Sequence, residues 1–310
     1  MKLIERILKN DKKCKRFLGL KSSQINELAN KIAPYWKEQE ISRLTRPDRK
    51  RAIGAGRKYE FKTTSDMLVV NLMYYKIYLT QEFVAAILNV DQSTVSRIIS
   101  KFLLLIEKAA NPELEALLQT TESLKNHRIK NFAELQKIYP EFADLITDAT
   151  ETPCNRPANK NDQKKFYSGK QKTHTLKTQI TINSNKRIVA LSDTYPGSVH
   201  DKSIFDFDQT INKIHPCAKH TLDKGYTGIE REYPNHNISI PRKRKNRQEM
   251  PPFLKKINTF IAKKRIAVEH VISRIKNFRI CSYTYRGNRN KFNQIFRNIV
   301  AIYNFSIATI

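Results

Sequence analysis

Three carboxylates stand in three different local contexts. Asp148 lies in Leu145-Ile146-Thr147-Asp148-Ala149-Thr150-Glu151, Asp223 in Thr221-Leu222-Asp223-Lys224-Gly225-Tyr226, and Glu269 in Arg265-Ile266-Ala267-Val268-Glu269-His270. Two acids at strand ends and one on a helix can converge on a pair of hard divalent cations. Oxygen ligands suit Mg²⁺ or Mn²⁺, and two such ions can carry phosphoryl transfer. Each acid alone has a plainer reading. An Asp at a strand end can serve structure alone, and Glu269 can pair with Arg265 at i,i+4 for a few tenths of a kcal/mol. A carboxylate emerging from an apolar run does need a cationic partner, whether metal, Arg or Lys.

Charge points to the substrate. The chain has 310 residues and a formal net charge of +28, from 57 Lys and Arg against 29 Asp and Glu. Between Pro241 and Arg297 there are 17 Lys and Arg, and Glu249 and Glu269 are the acids of that stretch. So concentrated a positive field favours a polyanion, through counterion release from phosphates. The basic region lacks the aromatic and Leu stripe of a membrane-surface helix. No run of 18 apolar residues offers a membrane span, and Met1-Lys2-Leu3-Ile4-Glu5-Arg6 opens no signal peptide. Cys14, Cys154, Cys217 and Cys281 form no CxxC pair, which fits a reduced, cytoplasmic protein. His215-Pro216-Cys217 with His220 is a weak zinc candidate, because no second ligand pair follows at the right spacing.

These residues must be positioned by elements that the pattern predicts. Ser23 caps a helix over 24–37, and the basic stretch 41–61, with Arg46, Arg49, Lys50 and Arg51, reads as a linker or phosphate-touching arm. Thr64 or Ser65, Thr80 and Asp91 cap helices over 66–78, 81–88 and 92–107. The last two, joined by Asn89-Val90, have the lengths of a helix-turn-helix, with Phe83, Ala86 and Ile87 expected inward against Val95, Ile98 and Ile99. Gln92, Ser93, Thr94, Ser96, Arg97 and Lys101 are then exposed on the recognition helix. Gln reads adenine, Arg reads guanine, and Ser or Thr holds phosphates. After Asn131–Ile138, Ile, Thr and Val enrichment predicts strands over 145–150, 174–183, 187–195, 219–223 and 238–240, with helices over 199–213, 254–280 and 294–307. Strand, two-stranded hairpin, helix, two strands and long helix is the order of an RNase H-like α/β domain. The predicted organisation is an N-terminal helical region and linker (1–60), a helix-turn-helix domain (61–125) and a catalytic domain (126–310).

On the long helix, Arg265 and Lys276 fall within about 40° of Glu269, on a face with Ser273. Ile257, Ile261, Val268, Val271, Ile275 and Phe278 form the opposite, apolar face. Asp148-Ala-Thr-Glu151, Leu222-Asp223-Lys-Gly-Tyr226 and Arg265-x₃-Glu269-x₆-Lys276 together resemble the motifs of DDE transposases. Nearest in pattern is the bacterial insertion-sequence branch related to eukaryotic Harbinger transposases. The stretches Tyr167–His174 and Gly197–Asp201 are similar to that family, as is a helix-turn-helix set just before the catalytic region. A tyrosine often stands three positions before the Arg in the family; here it is Ala262.

The resemblance implies a DNA transposase that binds transposon ends, cleaves strands and transfers them to target DNA. Asp148, Asp223 and Glu269 would hold two Mg²⁺ (or Mn²⁺) ions, and Lys276 would touch phosphate or terminal bases. Arg265 would orient Glu269 or contact a phosphate. Lys170, Lys172, His174, His200 and Asp201 are expected as neighbours of the site. Two ends need two active sites, so a homodimer on DNA is expected. The alternatives are a catalytically silent, domesticated DNA-binding regulator and a plain RNase H-like nuclease.

Overall fold

The computed structural model describes residues 2–45, 59–110, 129–243 and 249–308. Most of the basic 41–61 stretch, the end of the expected helix-turn-helix domain and Arg244-Lys245 lie outside them. The chain divides into two units, one of residues 1–112, 276–283 and 294–310, the other of residues 113–275 and 284–293.

The first unit is helical: α1 (Lys2–Leu8), α2 (Asp11–Phe17), α3 (Ser22–Leu44), α4 (Thr64–Ile77), α5 (Gln81–Leu88), α6 (Gln92–Phe102) and α7 (Leu105–Ala110). Helix α4 starts at a capping box, in which Thr63 and Asp66 bond each other's backbone N–H groups. It is the central element, with every side chain from Met67 to Met73 buried. The predicted 92–107 helix breaks at Leu103-Leu104 into α6 and α7. The last described helix, α13 (Phe292–Ala308), belongs to this unit from Gln294 onward. Its Asn298, fully buried, donates to the Leu103 carbonyl and the Tyr75 hydroxyl and accepts from the Glu107 N–H.

One burial expectation is reversed. Phe83, Ala86 and Ile87 are exposed, and Val84, Ala85 and Leu88 fill the core instead. Residues 83–88 are uniformly apolar, so their spacing carries no period from which to choose a face. Val95, Ile98 and Ile99 are buried as expected.

The second unit carries α8 (Phe132–Ile138), β1 (Asp144–Pro153), α9 (Lys160–Phe166), β2 (Tyr167–Ser168), β3 (Thr173–Asn183), β4 (Ile188–Leu191), β5 (Tyr195–Pro196), α10 (Asp201–Phe207), β6 (Lys219–Thr221), α11 (Ile229–Glu232) and β7 (Ile238–Ser239). The long helix α12 (Pro252–Lys276) follows. Strand order is β2-β3-β1-β6-β7, with β4 and β5 also paired to β3. β3 runs antiparallel to β1, β4 and β5, while β6 and β7 run parallel. This is the RNase H-like α/β arrangement that the element order implied. The predicted 199–213 helix is shorter, because a left-handed Gln209 (φ 48°) interrupts it.

Pleating gives the sheet two unlike faces. Ile146 and Asp148, opposite Ile182 and Ile180, project to one side; Thr147 and Glu151, opposite Thr181 and Lys177, project to the other. On that second side His220 is buried, stacked on Phe205 of α10 and bonded through Nε2 to the Thr147 hydroxyl. It is therefore a core residue, and its Nδ1 finds no hydrogen-bond partner among the described residues. Burial pushes its imidazole down to about 3. The unfolded chain titrates near 6.5, so between these values it takes up a proton that the folded unit refuses. The stability of the sheet unit should be intact above about pH 6.5 and fall by about 1.4 kcal/mol per pH unit below it. Thermal melts at pH 7 and pH 5 should show this drop in the wild type and a smaller one in His220→Gln.

Candidate active site

β1 and β6 run in parallel with Ile146 beside Thr221. Two residues further on, at the carboxyl edge, the same register sets Asp148 beside Asp223. That edge is where open α/β sheets place their chemistry. Asp223 stands at the start of a single 3₁₀ turn, Lys224–Tyr226, whose Tyr226 is fully buried against Phe205.

Arg265 of α12 joins the two acids. One terminal nitrogen lies 3.0 Å from Asp148 Oδ2, and the other 2.9 Å from Asp223 Oδ1. The Asp148 carboxylate also accepts from the Ala149 N–H at 2.8 Å. Burial pushes Asp148 above the ordinary carboxylate range, and the Arg265 charge pulls against that shift. One turn before Arg265, Ile261 is buried; beyond it Val268, Val271 and Ile275 are buried too. This stripe turns the opposite, polar face of α12 as the sequence predicts. Lys264 fixes the helix further, through an ion pair to Asp144 at 2.9 Å.

The expected Arg265–Glu269 pairing is thus replaced by a bridge from Arg265 to the aspartates. Glu269 lies one turn beyond Arg265 and is exposed. Among the described residues no three His, Cys, Asp or Glu side chains already form a metal-holding group. Asp148 and Asp223 do suit a hard cation, since both present carboxylate oxygens to one positive group at contact distance.

The neighbours divide. Asp201, the first residue of α10, packs on the Asp223 turn, where a Cβ at Gly225 would lie 2.9 Å from its Oδ2. His200 is the exposed N-cap of α10. Lys170, Lys172 and His174 are not beside the acids. Lys170 and Lys172 occupy the exposed turn between β2 and β3, and His174 stacks edge-on with Tyr167. The His174 carbonyl accepts from the Cys154 N–H, six residues and therefore roughly 20 Å along β1 from Asp148. Lys177 stands outside every sequence motif, and its signal is a Lys and a Gln, Lys177 and Gln179, on one face of an otherwise apolar and Thr-rich strand, where burial demands partners.

In the helical unit, Asn89 ends α5 in a left-handed conformation (φ 54°) and turns the chain into α6. Gln92, Ser93 and Arg97 are exposed, and Thr94 and Ser96 half-buried. Arg97 folds back on its own helix, donating to the Ser93 carbonyl at 3.0 Å. Lys101 departs from the expectation of exposure. Its ammonium sits 2.7 Å from Glu40 and over the rings of Trp36 and Tyr59, so it ties α6 to α3. Together with Arg43 and Tyr59 it holds the Glu40 carboxyl, against burial, down to about 2.

A model of the DDE superfamily endonuclease matches residues 147–304, which include both aspartates, Arg265 and Glu269. The chain belongs to the DDE superfamily of endonucleases. Residues 63–112 match the helix-turn-helix of the same superfamily, so the DDE endonuclease carries its own DNA-binding element. Over 266 residues it is 29% identical to a probable transposase for insertion sequence element IS702 from Microchaete diplosiphon, covering 86% of this chain and 88% of that one. Divalent-metal dependence goes with the family. Among the described residues no helix is long and apolar enough to cross a membrane.

Removing the Arg265 charge should leave two facing carboxylates without their common partner. Arg265→Gln should destabilise the sheet unit in EDTA by about 2–3 kcal/mol, less than a fully buried pair because the site is partly open. That corresponds to roughly 5–10 °C in melting temperature. Added divalent cation should raise the variant's melting temperature more than the wild type's. Equal shifts in the two proteins would contradict the bridge.

Proposed function

We propose that this DDE endonuclease uses Asp148, Asp223 and Glu269 to hold two Mg²⁺ ions and, as a homodimer on DNA, cuts and joins the ends of its own insertion sequence. Family membership and the transposase relative make the chain a DNA transposase. The observation that carries the metal reading is the Asp148–Arg265–Asp223 bridge, in which an acid on β1 and an acid just past the end of β6 share one positive charge.

When bound, the ions supply charge neutralisation at the scissile phosphate and acidify the attacking O–H group. The protein's own part is positional. β1 and the 3₁₀ turn just past the end of its parallel neighbour β6 bring Asp148 and Asp223 together, and the buried stripe of α12 leaves Glu269 on the same polar face as Arg265. Arg265, set between the two aspartates at the same edge, would meet a phosphate of the bound strand. Lys276, seven residues past Glu269, extends the basic face along the DNA strand. Gln92, Ser93, Thr94, Ser96 and Arg97 form the reading surface of α6, with Gln92 and Arg97 contacting base edges and the hydroxyl side chains holding phosphates. Lys101 acts there by holding α6 against α3.

Purified protein incubated with the DNA flanking its own gene and Mg²⁺ should nick at the element's ends. Asp148→Ala should abolish that cleavage and leave end binding within about twofold; full cleavage by this variant sinks the assignment. A silent regulator would bind the ends without cutting, and a plain nuclease would cut without preferring them. Gln92→Ala and Arg97→Ala should each weaken binding to the terminal repeat by about tenfold or more. Gel-shift competition against unrelated DNA measures it, and an unchanged preference would remove α6 as the reading helix.

A further inference from the structure

The mechanism uses the face of the sheet that carries Asp148. On the opposite face a buried lysine is left unexplained. Lys177 of β3 stands directly across from Glu151 of β1, and both are buried. Its ammonium donates to the Val199 carbonyl at 2.8 Å, lies 3.1 Å from Asp201 Oδ1 and 3.5 Å from Glu151 Oε1. Glu151 is held in turn by the Thr175 hydroxyl at 2.7 Å. A buried cation between two carboxylates is expensive to assemble and adds little stability over apolar packing, so its use is more readily positional.

What it positions follows from its partners. Val199 and Asp201 are the approach to α10 and its first residue. Asp201 packs against Gly225 so closely that a Cβ there would sit 2.9 Å from its Oδ2. Gly225 is two residues from Asp223, on the same 3₁₀ turn. We infer that Lys177, clamped by Glu151 and Asp201, is a positioning residue that sets the Asp223 turn relative to Asp148, and hence the geometry of the metal-binding pair. The inference rests on the reading of Asp148 and Asp223 as metal ligands. Lys177 itself projects to the other side of the sheet and touches neither substrate nor metal.

The test is Mn²⁺ affinity, followed by electron paramagnetic resonance on the full-length protein, alongside the Mg²⁺ concentration for half-maximal end cleavage. Lys177→Met should weaken Mn²⁺ binding and raise the Mg²⁺ midpoint by about tenfold, the usual effect of losing a group that orients a ligand. Lys177→Arg, which keeps the charge, should recover most of the loss. Gly225→Ala, which displaces the Asp201 carboxylate while leaving every ionisable group in place, should shift both quantities in the same direction. It decides the matter if Lys177→Met does not fold. A purely structural role would lower the melting temperature of these variants and leave both cation readings at wild-type values, which overturns the inference. Asp148→Ala separates the two levels. If it binds Mn²⁺ like the wild type, the metal reading itself fails. If it loses Mn²⁺ while Lys177→Met and Gly225→Ala keep it, only the positioning role fails.

Discussion

Two like charges held side by side, Asp148 on β1 and Asp223 just past the end of its parallel neighbour β6, are the constraint around which the sheet unit is arranged. Strand spacing of about 4.8 Å sets Asp148 and Asp223 close enough for a mutual repulsion of about 3 kcal/mol at an effective dielectric of 20. Arg265 of α12 sets a positive group between them at the carboxyl edge of β1 and β6. A guanidinium suits this task because its terminal nitrogens can serve two carboxylates at once. The same arrangement is what a divalent cation needs. The acids that destabilise the protein by themselves are those that a metal would stabilise.

The position of α12 follows from ordinary packing. Its N-terminal half is lightly buried, with Phe253 and Phe260 exposed. From Ile261 onward a stripe of Val268, Val271 and Ile275 is buried. Lys264 and Arg265 are adjacent in sequence yet reach acids at the two levels of β1, Asp144 and Asp148. These two ion pairs, four residues apart on the strand, fix the helix's height as well as its rotation. Glu269 then lies one turn farther along the helix and is exposed.

The strands were legible in the sequence because Ile, Thr and Val gather there between turn residues. Each of the three acids stands in a distinct sequence motif; the structure brings Asp148 and Asp223 together on Arg265 and leaves Glu269 exposed one turn beyond it. The partner of Arg265 was not legible. Helical spacing alone pairs it with Glu269, and only the parallel register of β1 and β6, a long-range property, offers it two aspartates instead. The same limit explains Lys170, Lys172 and His174. Sequence proximity to a family motif placed them near the acids, but the far end of β1, where they lie, is half the length of a ten-residue strand from Asp148. For α5 the failure is local: six apolar residues in succession leave the inward face to be decided by α6 and α4.

The sheet's second face gives the deeper reason why one acid was easier to recognise than its setting. Asp148 is part of β1, so its position is fixed by a ladder of backbone pairs to β3 from Leu145 to Pro153. Asp223 lies beyond the last residue of a three-residue strand and inherits no such ladder. Its turn is fixed instead from beneath, by buried Tyr226 bonding Gln179 and by Gly225 closing on Asp201. Apolar packing alone tolerates small slides, because dispersion contacts are individually weak and non-directional. Hydrogen bonds and ion pairs are directional and lose their energy within a few tenths of an ångström. A buried run of Thr175, Lys177, Gln179 and Thr181 beneath the active edge is therefore an understandable departure from an oily core. It converts a short strand end into a rigid mount, and the acid with the weaker backbone support receives the more polar foundation.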